Sequence, residues 1–164
     1  MARMDGNLEL TSPAFEEGGM IPAKYTCDGD RSLSPPLTIS GVPEAAKSLV
    51  LIMDDPDIPE EKKKEFGIDS FDHWTLFNIP PETSEIPEGK NVGTLGATST
   101  GEQSYTGPCP PPEYEPHEHR YIFKLFALRD TLTLQPGATK QEVLNSLKPS
   151  VIAETKLIGR YSRK

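Results

Sequence analysis

A chain of 164 residues can bury about two thirds of its unfolded surface, so residues 1–164 read as a single domain that needs no staple to fold. Its 17 basic and 25 acidic side chains leave a net charge of -8, a field that repels phosphate backbones and anionic lipid surfaces and excludes nucleic acid as a partner. No stretch approaches the roughly 18 apolar residues of a membrane span, and Met1 to Leu10 has no apolar core of signal-peptide length, so the expectation is a cytoplasmic protein without integral membrane association.

With 17 prolines and 13 glycines the chain should consist of short elements and many turns. Leu8 to Thr11 and Leu37 to Ser40 read as short strands between Gly, Pro, Asp and Ser clusters. Ser48 to Met53 is almost continuously apolar and runs into Asp54-Asp55-Pro56, the profile of a central strand covered on both faces. The mixed charges of Glu60 to Glu65 predict a solvated loop or short helix. His73 to Ile79 and Tyr121 to Leu128, rich in aromatic and branched residues, read as strands, with Gly93 to Thr98 and Leu157 to Tyr161 as weaker ones. Thr139 to Leu147 carries a helical period in Val143, Leu144 and Leu147, a capping box in Thr139 and Glu142, and a stop at Pro149. Strands first and one late helix predict a mostly β fold, an antiparallel β-sandwich with a C-terminal helix and a short terminal strand.

The polar residues that chemistry uses gather at strand ends: Asp54 to Pro59, His73, and His119-Arg120-Tyr121. In an extended chain His119 and Tyr121 share one face and Arg120 takes the other, and the same rule sets His73 opposite Asp72 and Trp74. Pro56 and Pro59 restrict Asp55 and Ile58 to extended conformations, and either X-Pro bond can be cis. The segment Gly101 to Pro112 is a shaped loop in which Gly107 allows close backbone approach to a ligand, its N–H serving as donor; a rigid turn is the bland alternative. Cys27 and Cys109, without a CxxC, exclude a zinc ribbon or a thioredoxin-like motif. Two reduced, buried thiols are expected, with a long-loop disulfide as the alternative. No HExxH, GxSxG or P-loop is present, so no enzyme, catalytic residue, cofactor or metal is expected. A metal-dependent hydrolase built on the two histidines and a carboxylate is the alternative.

The segments Tyr25-Thr26-Cys27-Asp28-Gly29, Asp55-Pro56-Asp57-Ile58-Pro59, His73-Trp74, Tyr105 to Pro111 and His119-Arg120-Tyr121 stand in the order found in phosphatidylethanolamine-binding proteins. The chain resembles the bacterial and archaeal branch of that family related to the Raf kinase inhibitor proteins. The resemblance implies two antiparallel sheets and a small edge pocket for phosphate or a phosphate-like head group. Its matching positions are Asp55, Asp57, His73, Gly107, Pro108, His119 and Tyr121, with Arg120 a structural ion-pair partner. It also implies a homodimer and a partner protein, a kinase or protease, inhibited through the protein surface as the alternative function. An Asp that accepts a hydrogen bond from an imidazole raises that ring's pKa, so His73 and His119 are expected to donate to the anion beside the Tyr121 hydroxyl and the Gly107 N–H. The loop Pro110 to Glu118, with Glu113, Glu115 and Glu118, looks longer and more acidic than the usual family connection, and His117 reads as a solvated loop residue.

Overall fold

The computed structural model describes residues 7–163. Its strands in chain order are β1 (Glu9–Thr11), β2 (Leu37–Ser40), β3 (Ser48–Asp55), β4 (Phe71–Ile79), β5 (Glu85–Ile86), β6 (Thr94–Leu95), β7 (Glu118–Leu128) and β8 (Val151–Ser162). Two α-helices, α1 (Glu60–Phe66) and α2 (Lys140–Leu147), and two 3-10 turns, Ala23–Tyr25 and Lys148–Ser150, complete the described elements. A three-stranded sheet in the order β1-β2-β5 faces a five-stranded sheet in the order β6-β4-β3-β7-β8, and all pairings within them are antiparallel.

β3 is buried at every one of its eight positions because it serves two cores. Leu49, Leu51 and Met53 pack with Trp74, Leu76, Phe123 and Leu125 against Leu10, Leu37, Ile39 and Ile86 of the smaller sheet. Val50 and Ile52 point the other way and join Phe77, Phe126 and Leu128 under Val143 and Leu147 of α2. A strand covered on both faces has no polar side to alternate with, which is why its sequence is a continuous apolar run. Helix α2 is anchored by both halves of the expected capping box: Glu142 N–H donates to Thr139 Oγ1 at 3.1 Å, and Thr139 N–H donates to Glu142 Oε1 at 2.9 Å.

The charged run Glu60 to Glu65 is helical, buries nothing, and stops at Gly67 in the left-handed region with φ of 66°. The terminal strand, expected to be short, is 12 residues long and pairs with β7 from Glu118 to Leu128. In its first half Glu154 and Lys156 are exposed, Ala153 is buried, and Val151 and Ile152 are half-buried against the two cores. The segment Gly18 to Ile21 covers part of its free edge, with Gly18 N–H on Ile158 O at 2.7 Å and Ile21 N–H on Arg160 O at 2.8 Å.

The expectation of two free thiols is overturned. Cys27 and Cys109 form a disulfide across 82 residues, with Cα atoms 5.4 Å apart. Cys27 lies in the connection from β1 to β2 and Cys109 in that from β6 to β7, so the bond joins loops of the two sheets. The peptide bonds before Pro56 and Pro59 are trans, and the cis bond among the described residues is Glu115-Pro116.

Candidate functional site

β3 delivers two carboxylates to its C-terminal end, and strand alternation separates them. Asp54 turns to the outer face, where its Oδ2 meets Lys124 Nζ at 3.1 Å and Lys140 Nζ at 3.4 Å. Asp55 turns inward, with Oδ1 accepting the Asp57 N–H at 2.8 Å and Oδ2 2.6 Å from His119 Nδ1. On β7 the expected alternation holds: His119 and Tyr121 are buried while Arg120 is exposed. Arg120 donates from Nε and Nη2 to the two oxygens of Asp57 at 2.8 and 2.9 Å, and its own N–H adds a third bond to Asp57 at 2.8 Å.

His73 departs from simple alternation. Met53 pairs with Trp74 and Asp54 with Asp72, which leaves His73 as the extra residue of a β-bulge. The bulge puts both His73 and Trp74 on the inner side: Trp74 packs edge-on against Tyr105 at 5.2 Å, and His73 edge-on against Tyr121 at 5.3 Å. His73 Nδ1–H donates to the Thr106 carbonyl at 2.6 Å, a partner that can only accept.

These side chains border a cavity of about 170 Å³, room for about five water-sized volumes of ~30 Å³ each. Asp55, His73 and His119 form its polar wall, and Ile58, Phe71, Pro110 and Pro111 its apolar one. Thr106, Gly107 and Cys109 close the side held by the disulfide, and Arg31 stands at the mouth. Four of the seven expected site residues therefore meet here: Asp55, His73, Gly107 and His119. Asp57, Pro108 and Tyr121 lie behind this wall. Asp57 is held by Arg120, and the Pro108 carbonyl accepts the Cys27 N–H at 3.1 Å. Tyr121 is fully buried with its ring between the two imidazoles, and its hydroxyl has no hydrogen-bond partner among the described residues.

The donors differ from those expected. Gly107 N–H is spent on the Arg31 carbonyl at 2.7 Å, and a Cβ at Gly107 would overlap the Tyr25 carbonyl and Thr26 Cα. Glycine is needed there for loop packing rather than for approach to a ligand. His119 is committed at both nitrogens, to Asp55 and, at 3.1 Å, to the Pro116 carbonyl. Burial pushes the His73 pKa down, outweighing its bond to Thr106 and the charges of Asp55, Asp72 and Asp54, so the ring is held neutral rather than raised as expected. Burial first and Asp55 second push the Tyr121 hydroxyl up, keeping it protonated. The Arg120 guanidinium holds Asp57 below the usual carboxylate range.

Arg31 was not anticipated. It sits in a polar turn, Asp28 to Ser32, and nothing in its immediate sequence marks it. Pairing Cys27 with Cys109 would have brought it beside the Gly107 loop. Its exposed side chain makes no hydrogen bond or ion pair among the described residues. His117 is exposed, 3.4 Å from Glu115, and outside the cavity. No group of three or more His, Cys, Asp or Glu among the described residues converges as a metal would require, and no described helix is long and apolar enough to cross a membrane.

The sequence model of the phosphatidylethanolamine-binding protein family matches residues 11–162. A UPF0098 protein of Methanothermobacter thermautotrophicus is 43% identical over 163 residues, covering 95% of this chain and 99% of its own. The crystal structure of a phosphatidylethanolamine-binding protein homologue from Chlamydia trachomatis superposes with a TM-score of 0.87 at 39% identity, over 96% of this chain and 98% of the other. YbcL of E. coli, described as a member of the mammalian family of these proteins, gives a TM-score of 0.81 at 27% identity, over 96% and 99% of the two chains.

Proposed function

The chain belongs to the phosphatidylethanolamine-binding protein family, and from that premise we propose that it is a non-catalytic protein whose cavity holds a small phosphate-like anionic group. The observation that carries this reading is the partly open cavity walled by Asp55, His73 and His119, with Arg31, whose side chain has no partner among the described residues, beside them. In a molecule of net charge -8, a guanidinium beside a cavity is the local exception an anion needs. At about 170 Å³ the cavity fits a head group and not an acyl chain. Arg31 and Thr106 also border an adjoining groove with Ser32, Gln103 and Ser104, which supports a head group carried on something larger.

Titration with phosphate and phosphoethanolamine, followed by NMR, tests the reading. Saturable shifts confined to Arg31, His73, Thr106 and Gly107, lost in Arg31→Ala, are expected; shifts spread evenly over the surface, or none, would remove the pocket from consideration.

The second reading is regulation of a partner protein, a kinase or protease, supported by the exposed acidic loop whose first prolines also wall the cavity. The homodimer implied by the family resemblance belongs to the same reading and is checked by sedimentation equilibrium. The expected cytoplasmic address has the disulfide against it, because such bonds persist in oxidising compartments or in the disulfide-rich cytosol of some thermophiles.

A further inference from the structure

β8 is the outer strand of the large sheet, and its open edge is covered only in part. Gly18 N–H donates to the Ile158 carbonyl at 2.7 Å, and Ile158 N–H donates to Glu17 Oε1 at 3.2 Å. Arg160 N–H donates to the Gly19 carbonyl at 2.9 Å, and its own carbonyl accepts from Ile21 at 2.8 Å. Ile158 and Arg160 thus turn their backbone groups away from β7, and by alternation Glu154 and Lys156 turn theirs the same way. The N–H and carbonyl of these two residues have no partner among the described residues. We infer that this stretch of edge is an interaction surface for a second copy of the chain, whose β8 pairs with it antiparallel about a two-fold axis through Thr155. The inference is independent of the anion site.

The side chains single out that partner. Glu154 and Lys156 are both exposed, and neither has an ion-pair partner among the described residues. Within the chain Lys156 stands opposite Lys124, a like-charge pair in which only Lys124 is compensated, by Asp54 at 3.1 Å. A two-fold axis through Thr155 sets Glu154 opposite Lys156 of the second copy, and Lys156 opposite its Glu154. Each of these pairs exchanges two backbone bonds, so four bonds satisfy every open group of both edges.

An axis through Glu154 or through Lys156 would instead set like charges face to face. The register is therefore specified by charge as well as by backbone. The ladder is also bounded, because the next position along the edge is already occupied by Gly18 at Ile158. Charged side chains on an edge ordinarily discourage pairing, but that protection fails against a copy of the same strand running the other way.

Sedimentation equilibrium of the intact protein from about 0.01 to about 1 mM should show a monomer–dimer equilibrium, with a Kd on the order of 0.1 mM for so short a ladder. Hydrogen exchange at the Glu154 and Lys156 amides should slow as the dimer forms, while Ile158 and Arg160, already bonded within the chain, should not change. Glu154→Lys and Lys156→Glu, both at exposed positions, should each weaken the dimer at least fivefold. An equal mixture of the two variants restores opposite charges across the axis and should associate as strongly as the wild type. A monomer throughout the range overturns the inference and leaves the edge open to a foreign strand. A dimer indifferent to both charge reversals also overturns it, because the copies then meet on another face. Protection of both amides at every dilution does so as well, by assigning the edge to a segment of the same chain. Phosphate titration reports on the cavity separately, so failure here leaves the anion reading standing.

Discussion

Asp57 and Arg120 make a bidentate ion pair closed by a third bond from the Arg120 backbone, with Asp57 18% and Arg120 55% exposed. The exposed guanidinium limits the pair, so Asp57→Asn should cost about 1 kcal/mol at pH 7. The folded pKa of Asp57 is depressed, so this contribution is present above the unfolded value of about 3.9 and lost as pH falls through the folded one. Urea midpoints of wild type and variant should therefore differ at pH 7 and converge near pH 2. His73 has the same sign for a different reason: its folded pKa is depressed by burial, so stability declines as pH falls below about 6.5, where only the unfolded ring takes a proton. An imidazole titration by NMR with a midpoint below 6.5 checks it. Strand alternation alone separated His119 and Tyr121 from Arg120, and that much of the site was legible in sequence. The orientation of His73 was not, because a bulge is an extra residue relative to a partner strand and leaves no mark on its own strand. Nor was the occupied Gly107 N–H, whose partner is a carbonyl of a distant loop.

Helix α2 packs Val143 and Leu147 on the outer face of the large sheet, away from the cavity. Removing its cap with Thr139→Ala strands the Glu142 N–H and should cost about 1 kcal/mol. Because the cap and the cavity lie on opposite faces of the large sheet, the chemical shifts induced by phosphate should be unchanged in this variant; altered binding would show that the two faces are coupled. The capping box, the doubly buried β3 and the edge-to-edge spans of β2 were readable because each is written in consecutive residues. β5, two residues long, exists only through its pairing with β2 and no local pattern announces it, whereas β6 falls inside the Gly93 to Thr98 span read as a weaker strand. β8 was half seen because Val151 to Ala153 follow directly on the helix stop at Pro149 and the polar residues Glu154, Thr155 and Lys156 separate them from the Leu157 to Tyr161 end.

At the scale of the molecule, the two sheets share a core, and the disulfide adds a covalent tie between their loops at the cavity. The single domain expected from chain length should appear as one cooperative urea transition, coincident by fluorescence of Trp74 and by circular dichroism. The tie itself was the alternative the sequence left open, since two distant cysteines say nothing of the 5.4 Å between their Cα atoms until the loops are folded. Closing a loop of 82 residues constrains the unfolded chain by up to about 4.5 kcal/mol in the chain-entropy account. Replacing both cysteines by serine should lower the urea midpoint by a corresponding amount, while the buried cores keep the fold. The loss should be felt first at the site, because Cys109 lines the cavity, and the Gly107 and Pro108 bonds to the Arg31 and Cys27 backbones cross the same junction. Hydrogen exchange at Cys27 and Gly107 should then quicken more than at β3, with weaker phosphate binding in step. Equal quickening everywhere would mean that the bond stabilises the chain only globally and does not hold the mouth in place.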